Sequence, residues 1–343
     1  MTKQKNSDKI YNDYIIHHKQ LIFNCFLDDD KKIFLWHIME SSERKGYNFM
    51  KKTIFRGAAT ALITPFKDGK IDYESFGRLI DFQINGGIDA LVVCGTTGEP
   101  STLDDGEHIA AMEFCIRHTN GRVPVICGTG SNDTAYAIDL SQRACDMGAD
   151  ALLMVTPYYN KTSQRGLVKH FNAVADKVDK PIIVYNVPGR TGLNIKPETY
   201  AELAKHPNIA AFKEAGGDMS AIAHTMSLCG DEVALYSGND DQIVPIMALG
   251  GQGVISVLSN LVPKDVHDIC ALFEVGKTKE SLKLQLKYHD LIAALFCEVN
   301  PIPVKAAMAL MGYCNGELRL PLCEMEEKNH EKLVSAMKEQ GII

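Results

Sequence analysis

The sequence predicts a (β/α)8 barrel, the TIM-barrel class, with a helical extension at its C-terminal end. Three observations predict it. Eight short runs rich in Val, Ile, Leu and Ala recur from Ala59 onward. Each is apolar without alternation, as a strand covered on both faces of a parallel sheet must be. Each is followed by a polar, Gly-bearing loop and then an amphipathic helical stretch, so the strand–helix unit repeats about eight times.

Taken in order, the runs are Ala59–Ile63, Ala90–Val93, Val123–Ile126, Ala151–Val155, Pro181–Tyr185, Ile209–Lys213, Val233–Tyr236 and Gly253–Val257. Between them, Asp104 caps a stretch with Ile109, Met112 and Ile116 on one face. Asn132 is read as the cap of another, with Ala137, Leu140, Ala144 and Met147 on one face and Gly148 closing it. A doubly wound open sheet is the competing architecture. Its phosphate fingerprint G-x-G-x-x-G is absent after the first strand, which ranks it second. Three segments follow: 1–49, an extension outside the folded domain; 50–262, the barrel; and 263–343, read as helical to the end and packed on the barrel as an added layer.

Bulk composition excludes several function classes. Of 343 residues, 45% are hydrophobic and 23% charged, which is the balance of a globular protein. A formal charge of -7 argues against a nucleic-acid partner, since no basic face is implied. No apolar stretch approaches the length of a membrane span. Ten scattered cysteines without a C-x-x-C fit reduced thiols in a cytoplasmic core better than disulfides or a zinc site, so no metal is expected. Residues 1–49 hold the only tryptophan, Trp36, and lack the layout of a signal peptide. Met50 then precedes the first clear strand, so an upstream start assigned in error or a docking arm both fit.

Functional residues of such barrels collect on the loops after the strands' carboxyl ends. Lys213 ends the sixth run, a lone cation after Ile209-Ala210-Ala211-Phe212. Desolvation there would move its amine below the usual value of about 10.4, making a neutral nucleophile that attacks carbonyls to form Schiff bases. From this segment alone, a surface lysine at a strand end fits as well. Tyr185 ends the preceding run, so the two side chains are neighbours, and its phenol can relay protons; packing is the plainer reading. Gly95-Thr96-Thr97-Gly98 offers backbone N–H groups and two hydroxyls to a small carboxylate, or is an ordinary turn. Arg190 suits bidentate capture of a second carboxylate, or is simply solvated. The Tyr158-Tyr159 pair reads as core, interface or relay.

The runs GTTGE (95–99), TPYYN (156–160), YNVPGRTG (185–192), FKEA (212–215) and YSGND (236–240), in this order, resemble the dihydrodipicolinate synthase family of pyruvate-dependent aldolase-like enzymes. The resemblance spans 50–343 and leaves the first 49 residues without a counterpart. It implies a cytoplasmic lyase of lysine and diaminopimelate biosynthesis, 4-hydroxy-tetrahydrodipicolinate synthase, that condenses pyruvate with aspartate 4-semialdehyde. It implies that Lys213 forms the Schiff base and that Tyr185, Thr96 and Tyr159 relay protons, Tyr185 sitting near the pyruvate carboxylate and Tyr159 reaching into a neighbouring subunit. Thr97 would bind the pyruvate carboxylate through its backbone N–H, Arg190 the second substrate's carboxylate, and Gly238 and Ile255 would line the pocket through their carbonyls. No cofactor is implied, and the expected assembly is a homotetramer, a dimer of dimers. An N-acetylneuraminate lyase would carry an uncharged residue in place of Arg190; a 4-hydroxy-2-oxoglutarate aldolase is the enzymatic runner-up, and a non-catalytic pyruvate sensor the reading from another class. Lysine-inhibited members carry Ser, His and Glu where this chain has Pro100, Asp105 and Tyr136, while His108 and Asn132 remain. Weak or absent feedback by lysine is therefore expected.

Overall fold

The computed structural model describes residue 51 and residues 53–343; the expectations for residues 1–49 lie outside the described residues. The strands are β1 (Gly57–Ala61), β2 (Phe66–Lys67), β3 (Lys70–Ile71), β4 (Ala90–Val93), β5 (Val125–Gly128), β6 (Ala151–Val155), β7 (Ile182–Asn186), β8 (Ile209–Glu214), β9 (Ala234–Ser237) and β10 (Gly253–Ser256). Eight of them close a parallel barrel in the order β1-β10-β9-β8-β7-β6-β5-β4, and β2 and β3 form a small antiparallel hairpin. The predicted (β/α)8 barrel is therefore the observed one. Against the Ala59–Ile63 run, β1 is shifted two residues earlier: it spans Gly57–Ala61, and Leu62 and Ile63 are buried loop residues.

Strand alternation sorts the apolar side chains into two shells. Ala59, Ile126, Ile183, Ala211 and Ile255 fill the barrel interior, while Leu91, Val125, Val184 and Phe212 pack outward against the helices. The phase matters most in β8. Ile182 pairs with Ile209 but Ile183 pairs with Ala211, so Ala210 is bulged out of register. That extra residue turns Ala211, and with it Lys213, toward the interior, while Phe212 and Glu214 face outward. A chain without the bulge would turn the opposite set toward the interior.

Carboxylate and hydroxyl caps start the helices just after these strands. Asp104 forms a reciprocal capping box with Glu107 at the helix Asp105–Thr119, as expected. For the helix Thr134–Asp146 the cap is Asp133, which accepts from the Ala135 N–H, rather than Asn132. Both residues suit the position by type, but the Asn132 side chain donates to the Tyr158 carbonyl at 3.3 Å instead. Gly148 does follow the helix end at φ +94°.

After the helix Pro263–Glu274, which packs along β1, come helices at Thr278–Lys287, His289–Leu295, Ile302–Leu310 and Glu327–Glu339. The tail is not helical throughout: 311–326 holds no helix, and Gly312 and Gly316 sit there at φ +79°. Arg319 pins this stretch, donating twice to Glu107 at 2.6 Å and once to the Thr102 carbonyl at 2.7 Å. No helix among the described residues is long and apolar enough to cross a membrane.

Candidate active site

Tyr185 and Lys213 are register partners on β7 and β8, both turned inward at the carboxyl ends of the strands. Each is 6% exposed, and the Lys213 Nζ lies 4.1 Å from the Tyr185 ring centroid. Burial pulls the Lys213 amine down from 10.5 to about 7, and the nearby Arg190 cation pushes the same way. Asp240 opposes both. Burial raises the Tyr185 phenol to about 12, with Arg190 and a hydrogen bond to Thr96 acting against it. Near neutrality this leaves an amine that is substantially uncharged beside a phenol that still holds its proton.

The loop after β4 is built around this pair. Thr96–Gly98 makes one tight turn, with the Gly98 N–H on the Gly95 carbonyl at 2.8 Å. Cys94 and Glu99 bracket it, both at φ +54°, a left-handed conformation that non-glycine residues adopt only when their surroundings hold them there. The fastening is a buried ion pair between Glu99 and Lys305, with the Lys305 ammonium also 4.0 Å from the Phe66 ring centroid. Asn300 donates from Nδ2 to Thr97 Oγ1 at 3.0 Å. The C-terminal helices thus hold the loop that carries both threonines.

Arg190 sits in the short turn Pro188–Thr191, exposed at the mouth, and donates to the Asn300 carbonyl at 2.7 Å. Thr96, Tyr185 and Arg190 line one cavity of about 280 Å³. Gly238 lies against the lysine stem: a Cβ there would come within 3.0 Å of the Glu214 carbonyl oxygen and 3.2 Å of Lys213 Cε, so a side chain would crowd the amine. Ile255 is buried in the interior cluster with Tyr185. Seven of the eight singled-out residues therefore belong to one end of the barrel interior or its rim.

Tyr159 is the exception. It is 92% exposed at φ +65°, and Tyr158 is 38% exposed, so neither is core. Two further residues had been given no role, although Asp240 closes the YSGND run. Asp240 is 2% exposed, accepts at Oδ2 from the Val257 and Leu258 N–H groups at 3.0 and 2.9 Å, and has no hydrogen-bond partner at Oδ1 among the described residues. Its place right after a strand end was a usable signal. Asn300 lies in the C-terminal layer, far along the chain from every motif, and had none.

Residues 54–340 match the Dihydrodipicolinate synthetase family. The chain belongs to that family. A 4-hydroxy-tetrahydrodipicolinate synthase of Acetivibrio thermocellus is 52% identical over 294 residues, covering 86% of this chain and 100% of the relative. One of Caldicellulosiruptor bescii is 55% identical over 291 residues, covering 84% and 98%. Among solved structures, the chloride-inhibited dihydrodipicolinate synthase of Acinetobacter baumannii complexed with pyruvate superposes with a TM-score of 0.83 at 43% identity, covering 85% of this chain and 100% of that one. Membership in the dihydrodipicolinate synthetase family thus extends over almost all the described residues.

Proposed function

We propose that this chain condenses pyruvate with L-aspartate 4-semialdehyde through an imine on Lys213, the reaction of a 4-hydroxy-tetrahydrodipicolinate synthase in lysine and diaminopimelate biosynthesis. The observation that carries the reading is the buried amine of Lys213 against the Tyr185 ring, together with relatives above 50% identity that bear this name. The relative complexed with pyruvate supports pyruvate as the first substrate.

The neutral Lys213 amine adds to the keto carbon, and the resulting carbinolamine loses water as Tyr185, relayed through Thr96, supplies a proton. The protonated imine acidifies the pyruvate methyl, which loses a proton to become an enamine. Its carbon attacks the second substrate's aldehyde. That substrate's own amine then displaces Lys213 and closes the ring, regenerating the free amine. Thr97 holds the pyruvate carboxylate, Arg190 the carboxylate of the semialdehyde, and the Gly238 and Ile255 carbonyls line the pocket. Tyr159 completes the relay in a neighbouring subunit of a homotetramer; its exposure and left-handed backbone suit a side chain projected out of its own barrel.

A panel of pyruvate with aspartate semialdehyde, sialic acid alone and 4-hydroxy-2-oxoglutarate alone tests the assignment. Condensation should dominate by kcat/KM; faster cleavage of either single substrate overturns it. Arg190 is the reason to expect condensation, since it matches a carboxylate better than a sugar.

Feedback is expected to be weak. Tyr136 donates to Asp105 Oδ1 at 2.8 Å, so two of the three substituted positions bond to each other rather than awaiting a ligand's ammonium. Steady-state rates should be unaffected by millimolar lysine, and half-inhibition below one millimolar would contradict this.

A further inference from the structure

Asn300 touches both carboxylate-binding elements of the proposed site from the C-terminal layer. Its Nδ2 donates to Thr97 Oγ1 at 3.0 Å, and its main-chain carbonyl accepts from Arg190 Nη2 at 2.7 Å. The residue is 6% exposed, and its Oδ1 is buried with no partner among the described residues. An orphaned buried acceptor is costly, so this amide calls for an explanation.

We propose that Asn300 is a positioning residue that fixes the Thr97 hydroxyl as a donor toward the first substrate's carboxylate while steadying Arg190 for the second. A hydroxyl has one hydrogen and two lone pairs. With Nδ2 donating to the Thr97 oxygen, that hydroxyl's own hydrogen is left for an anion. The Asn300 carbonyl occupies one N–H of Arg190, leaving the rest of its planar fork for a carboxylate. The side chain thus governs pyruvate, and the main chain governs the semialdehyde. The inference rests on the roles of Thr97 and Arg190 given under the proposed function.

The test reads pyruvate binding from the concentration dependence of borohydride-trapped adduct by intact mass, alongside both KM values. Asn300→Ala should raise half-saturating pyruvate about tenfold while changing the KM for the semialdehyde by less than about threefold, since the carbonyl remains. Asn300→Asp is nearly isosteric but, ionised, only accepts; it takes the Thr97 hydrogen for itself and sets a negative charge beside the anion. It should therefore bind pyruvate more weakly than the Ala variant. In a Thr97→Val background, Asn300→Ala should cause no further loss. Melting curves confirm that each variant folds, and Asn300→Ser replaces Ala if that one does not. An Asp variant that binds pyruvate better than the Ala variant means simple space-filling or an amide that accepts, and overturns the proposal. No adduct in the parent chain overturns the underlying function as well.

Discussion

Replacing Lys213 with methionine is expected to lower condensation by about 10³-fold or more, because a thioether cannot form the imine. The same change should stabilise the fold near pH 7. The folded amine titrates at about 7 against 10.5 for an unburied lysine. The unfolded chain therefore binds more protons between these values, and the parent loses stability as pH falls from 10.5 toward 7, with no further loss below. Methionine removes that cost, on the order of a few kcal/mol at pH 7, and the gain should shrink to nothing near pH 10.5. Denaturant titrations at several pH values check it. A variant less stable than its parent at pH 7 would mean that the amine is not desolvated, and with it the source of its nucleophilicity would go. Lost activity with gained stability is the signature of a residue kept for chemistry at the expense of the fold.

Tyr185→Phe is the second large effect. The ring against Lys213 remains and only the hydroxyl goes, so packing is preserved. With the phenol raised to about 12 by burial, Tyr185 enters as a proton donor near pH 7. Its loss should slow both imine formation and overall turnover by about 10²-fold or more, the usual contribution of a positioned acid or base. The KM for pyruvate should move far less than the rate, because Thr97 still holds the carboxylate that the phenol lies near. Stopped-flow imine formation and steady-state rates measure this separately; a loss under about fivefold would place the proton relay elsewhere.

How much was legible in advance follows from range along the chain. The barrel was legible because strands covered on both faces must be apolar without alternation, a local signal that β4 and β6 reproduce to the residue. Lys213 and Tyr185 were legible for the same reason, each ending such a run. The facing of Lys213 was not, since it depends on a bulge at Ala210 that no residue type announces. Asn300 was invisible because its importance comes from two contacts, one with Thr97 across 203 positions and one with Arg190 across 110. The cap at Asp133 was missed by one residue, where two equally suitable side chains stand together. The break in the tail at 311–326 came with its own warning in Gly312 and Gly316.

Borohydride reduction in the presence of pyruvate, followed by intact mass and peptide mapping across a pH series, goes most directly to the chemistry of Lys213. One adduct per chain on the peptide containing Lys213 is predicted, with trapping rates that rise as pH climbs through about 7 and then level off. No adduct, an adduct on another lysine, or equal trapping in Lys213→Met would contradict the account.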